Sequence, residues 1–178
     1  MTKNNSINKR LSKDEYYHQI AKSVASKSTC RTSLFGCIIV KEDQIISTGY
    51  VGAPRKVIDC LDMGYCLKKK KHMESGRGYE ECRSVHAEQN AIINAARAGV
   101  SLLGGTMYLY GAKRKENGEI FLIKTFPCLI CKKMIINAGI KRFVGNDEKG
   151  KLFSREVANW VCEWQEKRDI SEDEEKYM

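Results

Sequence analysis

The chain has 178 residues, 42% hydrophobic and 30% charged, with 31 Lys and Arg against 22 Asp and Glu for a net charge of +9. That length and apolar content suit one domain with a real core, which excludes intrinsic disorder and a small disulfide scaffold as default readings. No apolar run approaches the ~20 residues of a membrane span, and the polar, basic start Met1–Arg10 lacks the apolar stretch of a signal peptide. A cytoplasmic protein is expected, with one domain over 11–170 and flexible tails at 1–10 and 171–178. The basic balance fits nucleic acid, a phosphorylated metabolite or plain solubility, and does not choose among them.

Taken in chain order, Ser12 and Glu15 have capping-box spacing, and Tyr16, Ile20 and Val24 follow four apart, predicting a helix over Lys13–Ser26. Phe35–Lys41 reads as a buried strand, Glu42-Asp43 as a turn and Gln44–Tyr50 as its hairpin partner. Val51–Arg83, with glycines, one proline, three cysteines and the run Lys68–Lys71, reads as a long loop ordered by something other than a hydrophobic core. His86–Ala98 is a helix stopped by Gly99, and Thr106–Tyr110 is a strand. Asn117-Gly118 then supplies a hairpin turn before Ile120–Ile123. Pro127–Ala138 is a helix with proline at its start and Gly139 past its end. Ile140–Val144 is a short strand, and a last helix is expected over about Ser154–Glu166. Interleaved strands and helices make the class α/β, with helices covering a mixed sheet.

Eight cysteines, at 30, 37, 60, 66, 82, 128, 131 and 162, suggest metal ligands or reactive thiols in a reducing compartment. Cys128 and Cys131 form a Cys-x-x-Cys pair, which alone fits a redox pair, half a zinc ribbon or two buried thiols. With His86-Ala87-Glu88 it becomes three zinc-competent ligands and a carboxylate, each at the start of an expected helix, where the partial positive charge favours thiolates. Three ligands, His86, Cys128 and Cys131, leave a tetrahedral zinc one position for water, the pattern of a catalytic site. Glu88, a carboxylate that is not a ligand, can then move the water's proton. The bland alternative makes His86 and Glu88 helix caps and the two cysteines core thiols. His-x-Glu with Pro-Cys-x-x-Cys is the signature of the zinc nucleobase deaminases.

Four further segments, Ser28–Arg31, Ser47–Pro54, Cys82–Ile92 and Met134–Ile140, resemble the deoxycytidylate (dCMP) deaminase family, and the resemblance runs from about Asp14 to Val144. It implies a cytidine deaminase-like three-layer α/β/α sandwich around a mixed sheet, and zinc-dependent hydrolysis of dCMP to dUMP and ammonia, supplying dUMP for thymidylate synthesis. By the same resemblance His86, Cys128 and Cys131 hold zinc and Glu88 shuttles the proton. Gly49, Tyr50, Val51, Gly52 and Pro54, with Ala87, line the pyrimidine nucleotide site. A homo-oligomer, dimer or hexamer, activated by dCTP and inhibited by dTTP, is implied as well. Arg31 and Arg55 adjoin segments that resemble the family's substrate site and are the candidate phosphate ligands. Two departures stand out. Val51 replaces an Asn whose amide helps hold the sugar in many members, so sugar recognition must differ or use backbone groups. Gly111–Phe126 is longer than usual and reads as an added hairpin near the active-site mouth.

Cys30, Cys60, Cys66 and Cys82 can close a second, structural zinc site of the kind some family members carry; free thiols, with His72 as a possible substitute ligand, are the alternative. Cys37 and Cys162 are expected in the core, His18 on the surface or at an interface, and at least one of Tyr108 and Tyr110 in the core. The Lys68–Lys71 run is expected to be an exposed loop face. Two other functions compete. One is deamination of a base in nucleic acid, as in tRNA adenosine deaminases, which the net charge favours. The other is a non-catalytic zinc protein of a competence-type system, against which an intact Glu88 argues.

Overall fold

The computed structural model describes residues 10–73 and 78–167; the expected tails lie outside these residues except for Arg10. Helix α1 (Lys13–Ala25) begins with the capping box in place: Ser12 Oγ accepts from the Glu15 N–H at 3.2 Å, and Glu15 Oε2 accepts from the Ser12 N–H at 2.8 Å. Then follow β1 (Ser33–Lys41), β2 (Gln44–Tyr50), the single turn α2 (Leu67–Lys70), α3 (Ala87–Arg97), β3 (Thr106–Arg114) and β4 (Ile120–Leu122). The chain continues through α4 (Leu129–Asn137), β5 (Arg142–Asn146), β6 (Leu152–Glu156) and α5 (Val157–Lys167). Among the described residues no helix is long and apolar enough to cross a membrane.

The strands form one sheet in the order β2-β1-β3-β5-β6, with β4 paired to β3. Only β3 and β5 run parallel, so the sheet is mixed. Alternation sorts its side chains into two cores. Cys37, Ile39, Met107, Leu109 and Phe143 face Ala91 of α3, Ile135 of α4 and Trp160 of α5. Ile38, Val40, Tyr108 and Val144 face Tyr17 and Ala21 of α1. Helices on both faces make the expected three-layer sandwich. Two glycines set how closely they lie. A Cβ on Gly36 would stand 2.2 Å from the Ala21 carbonyl oxygen, and one on Gly49 would stand 2.3 Å from the Ala91 nitrogen. Neighbouring strands thus take α1 and α3 backbone-to-backbone, which a residue without a side chain permits.

Both expected hairpin turns form: Glu42 and Asp43 take φ of 50° and 62°, and Asn117-Gly118 brings Arg114 opposite Ile120. The long segment after β2 contains α2, and a bridge between Gly52 and Val85 closes it. Three expectations fail. The last helix starts at Val157, because Leu152–Glu156 instead pairs with β5. Its turn is built by Asp147 Oδ1, which accepts from the Lys149 and Lys151 N–H groups at 2.9 and 2.8 Å. Cys162 lies on the solvent side of α5 and is exposed. His18 is buried, its Nε2 3.1 Å from Asn146 Oδ1, on the side of α1 that meets the sheet. Cys37 and Tyr108 are in the core as expected.

Candidate metal centre

Two helix N-termini face each other at the centre of the molecule. His86 is the extended N-cap of α3, its N–H held by Gln89 Oε1 at 3.1 Å. Cys128 is the extended N-cap of α4, preceded by the buried Pro127, and Cys131 sits in that helix's first turn. His86 Nδ1 lies 3.5 Å from Cys128 Sγ and 3.4 Å from Cys131 Sγ, and the three ligand atoms fall within 4.8 Å of one another. Among the described residues this is the one such gathering of His, Cys, Asp or Glu side chains. Two sulfurs and an imidazole nitrogen form a zinc donor set, and three donors are the complement of an open rather than a closed site. The Tyr79 ring meets the His86 ring edge-on, centroids 4.8 Å apart, and restrains its orientation.

Glu88, in the first turn of α3, is buried, and burial pushes its carboxyl above the ordinary range, with His86 working against the shift. The Cys128 thiol is pulled well down, first by the Cys131 S–H that it accepts and then by His86. Cys131, the buried donor beside Cys128 and Glu88, is pushed up. At His86 burial opposes the charged form, yet the Cys128 hydrogen bond and the Glu88 charge hold the imidazole above its usual value, with Lys68 opposing.

A cavity of about 740 Å³ opens onto this cluster, with His86, Ala87, Glu88 and Cys128 in its wall and Phe35, Val51 and Phe126 as apolar lining. Of the expected substrate contacts, Val51 and Ala87 line it, whereas Gly49, Tyr50, Gly52 and Pro54 do not. Gly49 lies under α3. The Gly52 backbone is committed to Val85, and Tyr50 and Pro54 are exposed. The Val51 N–H donates to the Phe35 carbonyl at 3.0 Å, so it is not free for a sugar. Arg31 and Arg55 are exposed and outside the lining, and Arg55 Nη2 donates to Asn94 Oδ1 at 2.8 Å. Cys30, Cys60, Cys66 and Cys82 line another part of the same cavity as free thiols. Burial, then the charges of Cys30, Cys66 and Cys82, act on the Cys60 thiol, which is pushed up. No three of these four sulfurs lie within 4.8 Å of one another, so they are gathered more loosely than the His86 group.

One supporting residue has no signal in the sequence. Asn146, fully buried at the end of β5, accepts from the Gly111 N–H at 3.2 Å and donates to the Ile123 carbonyl at 2.9 Å. Its own N–H donates to Thr125 Oγ1 at 2.8 Å, and its carbonyl accepts from the Thr125 N–H at 2.8 Å. It thereby fixes the strand of chain that delivers Pro127 and Cys128.

The profile of the cytidine and deoxycytidylate deaminase zinc-binding region matches residues 11–146. The chain belongs to this family. The family is zinc-binding, and the donor set of His86, Cys128 and Cys131 fits zinc. The deoxycytidylate deaminase of Schizosaccharomyces pombe is 32% identical over 135 residues, which is 76% of this chain and 37% of that protein. That of Enterobacteria phage T4 is 33% identical over 155 residues, covering 71% of this chain and 73% of its own length. The chain thus spans little more than a third of the length of that yeast relative. The apo dCMP deaminase of cyanophage S-TIM5 shares the fold, with a TM-score of 0.55 at 24% identity over 75% of this chain and 82% of that one.

Proposed function

We propose that this deaminase hydrolyses dCMP to dUMP and ammonia. The observation that carries the reading is a buried carboxyl, Glu88, beside a three-donor zinc group in the wall of a cavity of about 740 Å³, a volume that suits a mononucleotide. Relatives named deoxycytidylate deaminase support the substrate. His86, Cys128 and Cys131 hold the metal. Zinc bound there supplies the Lewis acidity that makes a water nucleophilic near neutral pH.

The chain's own groups do the rest. Glu88 takes a proton from the attacking water on a carboxylate oxygen and passes it to N3 as the C4–O bond forms. It then takes the remaining hydroxyl proton and delivers it to the amino nitrogen, so that the C4–N4 bond breaks, ammonia leaves and C4 becomes a carbonyl. Burial pushes this carboxyl up, which favours the form that holds the proton between the two transfers. Phe35, Val51 and Phe126 keep bulk water from the reacting ring. With the Asn amide replaced by Val51, and the Val51 N–H spent on Phe35, the sugar meets an apolar wall at this point.

Glu88→Gln tests the reading. It keeps the side chain's size and removes its proton-carrying capacity, so ammonia release from dCMP falls by ~10²-fold or more while metal analysis still finds the catalytic zinc. His86→Ala loses both metal and turnover. Wild-type ammonia release in the Gln variant would overturn the mechanism. A second, structural zinc on Cys30, Cys60, Cys66 and Cys82 belongs to the same reading, supported by the four thiols lining one cavity and acting on Cys60. Homo-oligomeric assembly and control by dCTP and dTTP belong to it as well, on the resemblance of the nucleotide-binding segments.

A further inference from the structure

We propose that the substrate's phosphate is held by Lys68, Lys113 and Arg114, on the facing walls of α2 and the β3–β4 hairpin, so that the added hairpin makes the site select phosphorylated nucleotides. The inference rests on the nucleotide reading above and names the anion subsite of that site. Its first support is strand parity. Met107 and Leu109 of β3 point to the face that carries α3 and α4, and two-residue alternation puts Lys113 on that face as well. The register agrees: Lys113 stands between Ser33 of β1 and Phe121 of β4, and all three line the cavity. Arg114, the last residue of β3, has the opposite parity and enters the same lining half-buried from the strand's end. On the opposite wall Lys68 Nζ lies 4.8 Å from the centroid of the Tyr79 ring, the ring that meets His86 edge-on. Lys68 is therefore one aromatic ring from the metal centre.

Charge pairing is the second support. Of the neighbouring cations, Lys69 pairs with Glu116 and Lys115 with Glu119, each at 3.0 Å, and Lys71 with Glu81, while Lys70 lies over the Tyr65 ring and Arg83 donates to the Ile58 carbonyl. Among the described residues Lys68, Lys113 and Arg114 have none, though all three line the cavity. The acids in that lining are Glu88, which stands at the metal group, and Glu148. Like charges gathered without partners repel, and a phosphate monoester of about −1.5 to −2 charge relieves them. The Lys69–Glu116 pair ties α2 to the tip of the hairpin and holds the two walls facing each other. Arg31 and Arg55 lie outside the lining and take no part.

Binding of dUMP and of deoxyuridine, measured by titration calorimetry, reads the subsite without turnover. Lys113→Ala and Arg114→Ala should each raise the Kd for dUMP on the order of 10-fold or more. The Kd for deoxyuridine should stay within about twofold in both. Lys113→Arg should recover most of the loss, and Lys27→Ala, which removes a charge outside the cavity, should change neither Kd. Unchanged dUMP affinity in both alanine variants overturns the proposal, and so does a parallel loss of deoxyuridine. A wild-type protein that binds a dC-containing pentanucleotide but not dUMP also overturns it, by moving these cations to a phosphodiester backbone. Wild-type protein that binds dUMP with the expected variant losses, yet releases no ammonia from dCMP, supports the subsite and refutes the proposed reaction alone.

Discussion

A histidine enclosed between a helix and a sheet has to stay neutral or disturb its surroundings. His18 is in that position, its Nε2 against Asn146 Oδ1 and its ring 5.6 Å from that of Tyr110. Burial holds its imidazole below the ordinary 6.5, and the Asn146 hydrogen bond only partly offsets this. The sign follows from proton uptake: as pH falls through 6.5 the unfolded chain binds a proton that the folded one resists, so stability is full above that value and declines below it. Denaturant midpoints taken between pH 7.5 and 5.5 should therefore fall more steeply for the wild type than for His18→Gln. Equal slopes would remove His18 as the cause. The residue scale is also where sequence reading reached its limit. In Ser47–Pro54, Gly49 read as a ligand contact, but a strand glycine marks close approach of any backbone, and here α3 is what approaches.

At the level of elements, what local chemistry dictates was legible and what pairing dictates was not. The Ser12–Glu15 box, the Asn117-Gly118 turn and the Pro127 to Gly139 bracket each act within a few residues, and α1, the β3–β4 hairpin and α4 appear where they say. Strand β6 was missed because Leu152–Glu156 has no alternation of its own and is ordered by β5 and the Asp147 turn. The link between β5 and α4 was equally invisible, since it depends on one buried amide. Asn146→Ala should leave the Gly111 N–H and the Ile123 carbonyl without partners, costing about 2–3 kcal/mol in urea unfolding. Because the freed Ile123 carbonyl lies on the segment that leads into Cys128, the same variant should release its zinc to a chelator faster than the wild type. Loss of stability with unaltered zinc release would show that Asn146 supports the sheet but not the metal centre.

Across the whole molecule, one cavity brings together segments far apart in sequence: the caps of α3 and α4, the long segment after β2, and the β3–β4 hairpin. The candidate metal centre was legible because its donors, two helix N-caps and one first-turn cysteine, come in a recognisable order. The proposed phosphate wall was not, because adjacency to resembling segments pointed to Arg31 and Arg55, whereas the face that Lys113 takes on β3 depends on the strand's alternation. The four-thiol reading is tested at this scale too. Metal analysis of protein prepared without chelator should find about two zinc per chain, one open and one closed site. Cys60→Ser should lower the count by one while ammonia release persists, and a wild-type count of one would refute the second site.

The strand order has a last consequence. Strand β2 ends the sheet, and open strand ends ordinarily invite another chain to add on. Two of its carbonyls, those of Thr48 and Tyr50, already accept from Asn94 and Asn90 of α3, each at 2.8 Å. At the other border β6 presents the exposed, charged Arg155 and Glu156. Growth into a fibril by strand addition is thus obstructed on both sides, by amide donors at one border and by charge at the other, and the helix that carries Glu88 also serves as guard for the sheet beneath it.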